Sequence, residues 1–221
     1  MNRTRIEYLH YTWNPVVGCS GVGCAVRDVC WARAFARRQK NRCELCYRFV
    51  PHVHFERFDE PLKCRKPSRI GVCFSGEFYD REVSENVRAS LYIRMDRARW
   101  HRFLILTKQP QNVKDTPPSN VWVGVSVNVK ADLWRLYSLT QTRVNSFVSF
   151  EPLLEDMGDI TEWLEGVKWV IIGAQTHPTV QPDVAWVNSI VKQAERLGIP
   201  VFMKNNLLYH PLQSYPEELK L

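Results

Sequence analysis

Short apolar segments alternate with longer polar or amphipathic stretches from residue 69 almost to the end of the chain. The segments are rich in Val, Ile and Phe, and their apolar positions run nearly without interruption. Such runs are typical of parallel strands that are buried on both faces. The pattern predicts six strands, at residues 69–75, 102–107, 121–127, 146–150, 168–173 and 200–203, and residues 7–12 are a further candidate.

The stretches between these segments predict helices. Residues 84–98 begin at Ser84, a good helix cap, and residues 183–197 end at Gly198. Residues 130–139 and 159–164 are shorter candidates, and another helix is expected at 31–40.

Alternating strands and helices indicate an α/β fold with a parallel sheet. We expect a partial (β/α)6–7 barrel of parallel strands, forming one domain over residues 1–221, with an open doubly wound sheet as the alternative. Residues 37–68 lack periodicity and carry three cysteines. They are expected to form an inserted Cys-rich excursion that is held together by a metal or an iron–sulfur cluster.

The composition narrows the class of protein. Hydrophobic residues make up 45% and charged residues 24% of the chain, which is typical of a globular protein rather than a disordered one. No apolar run approaches the roughly 18 residues that a membrane-spanning helix needs, and the N-terminal residues do not resemble a signal peptide. We therefore expect a cytoplasmic protein with no membrane partner.

Positive charge is concentrated in the first half of the chain. Residues 1–120 carry a formal charge of +10 and residues 121–221 a charge of −3. This asymmetry favours a nucleic acid or nucleotide substrate, although a solvated basic surface would look the same. Trp100 and His101 lie among arginines and are expected to suit base stacking. The basic clusters are Arg33, Arg37, Arg38, Lys40 and Arg42, followed by Arg88, Arg94, Arg97, Arg99 and Arg102.

Polar residues follow every predicted strand from 69–75 onward. Ligands bind at the carboxyl ends of parallel strands, so these residues are candidates for one shared site, although solvated loop tips are the alternative. Two carboxylates and two lysines on one rim would suit a zwitterionic or polyol ligand. The candidates are Ser75, Gly76, Glu77, Lys108, Ser126, Asn128, Glu151, Gln175 and Lys204.

All seven cysteines lie within the first 73 residues. A disulfide framework is unexpected in an intracellular chain of this length, so the clustering favours a metal or an iron–sulfur cluster. Cys19, Cys24 and Cys30 form the first group, and Cys30 directly precedes a predicted helix, whose positive end favours a thiolate. Three thiolates would leave one iron of a [4Fe–4S] cluster open.

A second group combines two cysteines with two histidines. Cys43 and Cys46 form a CxxC pair, and His52 and His54 follow closely. These four residues could close a tetrahedral zinc site. Two reduced thiols in a loop, or two ligands of iron, are the alternatives.

The opening Trp13-Asn14-Pro15, Gly18-Cys19, Cys24 and Cys30-Trp31-Ala32 resembles the radical S-adenosylmethionine (SAM) superfamily. It is most similar to a phage and prokaryotic group of radical-SAM-like proteins of uncharacterised function that carry a three-cysteine WNP signature. The superfamily's common spacing is shorter, Cys-x3-Cys-x2-Cys. Further similar segments lie at residues 54–62, 106–108, 124–128, 151–154, 169–173 and 200–204.

The resemblance implies a [4Fe–4S] cluster on Cys19, Cys24 and Cys30. SAM would bind the open iron, and its one-electron cleavage would give a 5′-deoxyadenosyl radical that removes a hydrogen atom from the substrate. An electron donor protein would reduce the cluster.

The resemblance also implies roles for the strand-end residues. Ser75-Gly76-Glu77 stands where the superfamily has a Gly-Gly-Glu-like motif for the amino group of SAM. Lys108, Ser126, Asn128 and Gln175 would complete the cofactor site, and Glu151 and Lys204 would be catalytic. The alternative function is a zinc- or cluster-containing basic nucleic-acid-binding protein without SAM chemistry.

Overall fold

A computed structural model describes residues 1–142, 144–209 and 211–221. The strands are β1 (Asn2–Arg3), β2 (Tyr11–Trp13), β3 (Val16–Val17), β4 (His52–Val53), β5 (Arg69–Val72), β6 (Arg102–Thr107), β7 (Val121–Ser126), β8 (Asn145–Phe150), β9 (Val170–Ile172), β10 (Gln175–Thr176), β11 (Thr179–Val180) and β12 (Val201–Met203). The α-helices are α1 (Trp31–Ala36), α2 (Glu44–Arg48), α3 (Glu60–Lys63), α4 (Glu85–Arg97), α5 (Trp134–Thr140), α6 (Thr161–Leu164) and α7 (Val184–Arg196). Short 3₁₀ helices occupy Arg37–Gln39, Phe55–Arg57, Pro110–Asn112, Lys130–Asp132 and Glu217–Leu219.

Eight strands form the main sheet, in the order β1-β2-β5-β6-β7-β8-β9-β12. All neighbours pair in parallel except β1, which is antiparallel to β2. The order of the strands follows the order of the chain and never reverses, whereas a doubly wound sheet requires a reversal. The arrangement confirms the predicted partial barrel, and it brings the carboxyl ends of seven strands to one edge.

The two faces of the sheet bury different sets of side chains. Alternate residues such as Phe103 and Ile105 face the layer that contains α4, α5 and α7. The opposite face of the sheet buries Leu104, Trp122 and Phe147 in an inner cluster that also contains Tyr8. Gly124 makes room there, because a Cβ at this position would overlap the ring of Phe147.

Most predicted elements are present, with shorter bounds. Strand β6 matches its prediction at both ends, and Ser84 and Asp183 cap α4 and α7 through their side-chain oxygens. The candidate strand at 7–12 is wrong for residues 7–10. Tyr8 and Leu9 are consecutive and both enter the inner cluster, which the alternation of a strand does not allow.

The predicted excursion at 37–68 is an ordered segment. It contains α2 and α3, and its strand β4 pairs with β3 in antiparallel register, Val16 with Val53 and Val17 with His52. The expected helix at 31–40 ends as α1 at Ala36 and continues as a 3₁₀ turn.

Candidate active site

A cavity of about 620 Å³ opens at the carboxyl ends of the parallel strands, a volume ordinary for a small-molecule site. Eight residues singled out from the sequence line it: Cys24, Cys30, Ser75, Lys108, Ser126, Glu151, Gln175 and Lys204. The edge of the sheet thus gathers side chains that are distant in the sequence.

The loop with the first three cysteines starts directly from β3. Gly18 pairs with Gly76, and the Gly18 N–H donates to the Ser75 carbonyl at 3.1 Å while the Glu77 N–H donates to the Gly18 carbonyl at 3.1 Å. Cys19 is therefore joined to the Ser75-Gly76-Glu77 segment by backbone hydrogen bonds.

Later elements anchor the rest of this loop. The Ser20 N–H donates to Asp80 Oδ2 at 2.8 Å. Arg135, which is almost fully buried, donates to the Gly23 carbonyl at 2.5 Å and to the Ser126 carbonyl at 2.8 Å, and it pairs with Asp132 at 2.8 Å. Arg135 thereby ties the cysteine loop to the end of β7.

The three cysteines are free and partly exposed. Burial raises the pKa of Cys19 to about 11, with a smaller contribution from the carboxylates of Glu77 and Asp80, and the Gly21 N–H opposes the increase. Cys30 is the N-cap residue of α1, with extended backbone.

The donor set fits a [4Fe–4S] cluster. Cys24 and Cys30 line the cavity, and Cys19 and Cys30 pack against the same small cluster of Ala32, Ala36 and Phe49. A cubane binds each thiolate on a different iron, so its ligands need not converge as the ligands of one ion do. Two partly exposed thiols at a cavity, with a third partly exposed thiol on the same loop, are compatible with this binding mode, whereas Cys73 is fully buried just beyond β5.

An ionic group forms another part of the cavity wall. The Lys204 ammonium contacts the Glu151 carboxylate and lies 3.9 Å from Glu7 Oε2. Gly173 leaves the space for both side chains, because a Cβ there would lie 3.0 Å from Lys204 Cδ and 3.2 Å from Glu151 Cγ. Burial, with Glu151 and Glu7 nearby, raises the pKa of Tyr8 well above its usual range.

Three of the predicted cofactor-binding residues, Gly76, Glu77 and Asn128, are not among the residues that line the cavity. The Glu77 carboxylate is buried and accepts hydrogen bonds from Thr107 Oγ1 at 2.6 Å, from the Lys108 N–H at 3.0 Å and from the Tyr79 N–H at 3.1 Å. Burial raises the pKa of this carboxyl, and the three hydrogen bonds act against the increase. Gly76 packs against the Gly18 backbone.

Asn128 is the third of these residues and is fully buried. Its Nδ2 donates to the Pro152 carbonyl at 3.0 Å, and its Oδ1 has no hydrogen-bond partner within the described ranges. Its side chain links the loops that follow β7 and β8.

Sequence reasoning missed two aromatic residues at the rim. Trp31 and Phe35 line the cavity, are 50% and 43% exposed, and lie four residues apart on α1, a spacing that puts them on one face of the helix. Arg37, Arg38 and Lys40 follow directly and are at least partly exposed. The signal was present in the sequence as an aromatic pair beside a basic run.

The basic cluster on α4 is less available than the sequence suggests. Arg88 pairs with Asp115 at 3.0 Å and Arg94 with Asp59 at 3.2 Å. The expectation that His101 suits base stacking is wrong, whereas Trp100 is partly exposed and its role in stacking stays a prediction. His101 is fully buried, and both rings contact the Cys64 carbonyl, Trp100 Nε1 at 2.8 Å and His101 Nε2 at 3.0 Å.

The second cysteine group converges fully. The ligand atoms of Cys43, Cys46, His52 and His54 all lie within 4.8 Å of one another. Main-chain and side-chain contacts within the CxxC turn lower the pKa of Cys43, and burial raises the pKa of Cys46 to about 11. The structure therefore contains two separate thiol groups, one on the loop that follows β3 and one between α2 and β4.

Comparisons with known proteins address the family and the fold. Residues 3–216 match a family model described as "Protein of unknown function (DUF5131)". A search of curated proteins finds no significant match. The solved structure titled "Spore photoproduct lyase complexed with dinucleoside spore photoproduct" superposes with a TM-score of 0.54 at 10% identity. The match covers 88% of this chain and 63% of that one, so this chain spans less than two thirds of its length. None of the helices within the described residues has the length and apolar character needed to cross a membrane.

Proposed function

This chain belongs to the DUF5131 family of proteins of unknown function, and from that premise we propose that it is a radical SAM enzyme acting on a nucleic acid or nucleotide. Its fold is similar to that of spore photoproduct lyase, a radical SAM enzyme. That similarity supports the fold alone, so the chemistry is argued from the site.

One observation carries the proposal: three free, partly exposed cysteines lie on one loop, and two of them, Cys24 and Cys30, line a cavity at the carboxyl ends of parallel strands. Cys19, Cys24 and Cys30 would hold a [4Fe–4S] cluster. When bound and reduced by an electron donor protein, the cluster supplies the electron that cleaves SAM into methionine and a radical able to remove a hydrogen atom from the substrate.

The residues around the cysteines would position that cofactor. Asp80 and Arg135 hold the loop at two points, through the Ser20 N–H and the Gly23 carbonyl. Ser75 is partly exposed at the cavity and would offer a hydroxyl to a ribose or carboxylate, whereas Ser126 borders the cavity but is almost fully buried. Glu77 and Asn128 would act from below, by fixing the backbone on which these contacts depend.

Glu151 and Lys204 are the proposed catalytic pair. They form an ion pair at the cavity wall, and Lys204 also approaches Glu7. A paired carboxylate and ammonium can hold a polar substrate group on either side and exchange a proton with it. Gln175, at the start of the β10–β11 hairpin, would border the same substrate space.

The residues at the rim of the cavity support the proposed substrate class. Exposed Trp31 and Phe35 offer flat apolar faces for bases, and Arg37 and Arg38 offer charge for phosphates.

The proposal is tested by anaerobic reconstitution with iron and sulfide. We expect about four iron and four sulfide per chain, a SAM-dependent change in the spectrum of the reduced protein, and release of 5′-deoxyadenosine. Cys30→Ala should lose the iron, while Cys64→Ala, which changes a thiol outside both groups, should keep it. A reconstituted chain with no iron and no response to SAM would contradict the proposal and favour a metal-stapled nucleic-acid-binding protein.

A further inference from the structure

Four donor atoms lie close together behind the CxxC turn. They belong to Cys43, Cys46, His52 and His54, and all lie within 4.8 Å of one another. His52 Nε2 lies 3.6 Å from Cys43 Sγ and 3.3 Å from Cys46 Sγ, and His54 Nε2 lies 3.2 Å from Cys46 Sγ. The two Nε2 atoms are 2.9 Å apart. Tetrahedral zinc would separate its ligands by about 3.5 Å for sulfur and nitrogen and about 3.3 Å for two nitrogens. The observed separations are close to these values.

The outer nitrogens of both rings are already engaged. His52 Nδ1 lies 2.8 Å from the Val50 carbonyl, which can only accept, and His54 Nδ1 lies 2.8 Å from Glu56 Oε1. In neutral imidazoles these contacts place the proton on Nδ1 and leave a lone pair on Nε2. Two lone pairs facing each other at 2.9 Å repel unless a cation lies beside them. Backbone carbonyls and carboxylates at the outer nitrogen are the usual support for metal-binding histidines.

The same distances distinguish a single ion from a cluster. A two-iron centre with two cysteines and two histidines places the sulfur pair and the nitrogen pair on different irons. Here Cys46 Sγ is within 3.3 Å of both Nε2 atoms, so the sulfur and nitrogen ligands share one centre. Two thiolates and two imidazoles in a closed tetrahedron are typical of structural zinc.

We propose that Cys43, Cys46, His52 and His54 bind one structural Zn²⁺ that joins α2 to β4. Strand β4 contains His52, and β3 leads directly into Gly18 and Cys19. The His54 N–H donates to the Pro15 carbonyl at 2.7 Å, and the Cys19 N–H donates to the Phe49 carbonyl at 3.3 Å. The ion thus orders the segment to which β3 and the start of the cavity cysteine loop are hydrogen-bonded. The consequence for the cluster rests on the proposed function, but the zinc site does not.

Metal content tests the site directly. Protein purified without chelators should carry about one zinc per chain, and Cys43→Ser should lose it. Cys64→Ser is the matched control, because Cys64 lies in the same part of the chain but outside the group, and it should keep the zinc. Cys30→Ala should also keep the zinc, which separates this site from the cavity thiols. Zinc retained by Cys43→Ser, or lost from both control variants, would overturn the inference.

A second measurement needs no variant and so is independent of misfolding. Replacing the zinc with Co²⁺ in the wild-type protein should give the intense visible bands of tetrahedral cobalt with thiolate ligands. Metal removal should accelerate amide exchange about tenfold or more at β3 and β4, but not at β6 and β7. Octahedral cobalt, or unchanged exchange at β3 and β4, would overturn the inference. Zinc without iron would contradict the proposed function alone, and iron without zinc would contradict this inference alone.

Discussion

Gly18 lies where the two thiol-bearing segments touch. Its φ is +87°, and a Cβ would overlap the Val50 carbonyl oxygen and lie 2.7 Å from Pro51 N. The residue therefore has to be glycine for two reasons, a left-handed backbone and close contact with the chain before β4. Any side chain here would push Cys19 away from the segment that supports it.

Gly18→Ala should be strongly destabilising. The left-handed conformation alone costs a non-glycine residue about 1–2 kcal/mol, and the overlap with Val50 adds to this. Gly166→Ala is the matched control, because Gly166 has a φ of +80° and open space around its Cβ position. Chemical denaturation of both variants measures the difference. Equal losses of unfolding free energy would mean that the contact with Val50 carries no energy.

Arg135 is the buried residue on which the other end of the cysteine loop depends. Arg135→Ala would leave Asp132 buried without its partner and the Gly23 carbonyl without its donor, at a cost of about 3–5 kcal/mol. Arg88→Ala breaks another largely buried pair, with Asp115, away from the loop. We expect both variants to melt at lower temperature but only Arg135→Ala to lose reconstituted iron. Normal iron content in that variant would show that the loop does not depend on Arg135.

At the residue scale the sequence shows which thiols and imidazoles come together in the second cysteine group, but it does not show where some polar side chains point. Cys43, Cys46, His52 and His54 are close in sequence, so short spacing alone brings them together. Glu77 and Asn128 follow strands as the cavity residues do, yet their side chains turn beneath the surface. That direction depends on donors supplied by distant loops, such as Thr107 for Glu77, which a sequence pattern does not reveal.

Strands β7 and β8 illustrate how the elements fit together. Gly124 pairs in register with Phe147, and the absent side chain on one strand accommodates the ring on the other. The inner cluster is rich in aromatic residues, including Trp122, Trp169 and Phe202. The apolar pattern predicts these strands, but the pairing of a small residue with a large one depends on the register between them.

The pairing predicts a compensating double substitution. Gly124→Ala should destabilise the protein by about 1–3 kcal/mol, because the new methyl group overlaps the Phe147 ring. Phe147→Leu alone should also destabilise it, because less apolar surface is then buried. The double variant should be destabilised by less than the sum of the two single effects, as measured by urea denaturation. Additive effects would show that the two side chains do not compete for one space.

Across the whole molecule, the distribution of accessible positive charge favours the α1 side of the cavity as the binding surface. Arg37, Arg38 and Lys40 follow the aromatic face of α1, whereas several arginines of α4 are bound to acidic partners. The positive net charge of residues 1–120, read from the composition, predicts a polyanionic partner. Composition could not show which arginines are neutralised, because the ion pairs join residues as far apart as 35 positions, as Asp59 and Arg94 are.

Nucleic-acid binding should therefore depend on α1 and the basic turn that follows it. Replacing Arg37 and Arg38 with Glu should weaken the binding of single-stranded DNA. The slope of log K against log salt concentration should become shallower by about 0.7 for each phosphate that is no longer neutralised. Reversing Lys192 and Arg196 on α7, which lies apart from the cavity rim, is the matched control and should change little. Fluorescence anisotropy over a range of salt concentrations measures both effects. Equal weakening by the two pairs would place the binding surface elsewhere or make it non-specific.

Trp31→Ala should have a different signature. Removing one base-stacking face would cost about 1–3 kcal/mol of binding free energy without changing the salt slope, because no charge is removed. The same anisotropy titrations on Trp31→Ala measure this. An unchanged affinity would show that the exposed indole does not stack on bases.

The two thiol groups also differ in when the chain can complete them. The zinc ligands all lie between Cys43 and His54, so the site closes a short loop, and its supporting carboxylate, Glu56, follows two residues later. The loop that carries Cys19, Cys24 and Cys30 can be anchored only after Asp80 and then Arg135 have been synthesised. Because synthesis proceeds from the N-terminus, the zinc site can form on the ribosome while the cavity is still unmade. Zinc would thus bind Cys43 and Cys46 early. Cys19, Cys24 and Cys30 would bind their cluster only after the residues that anchor their loop have been synthesised.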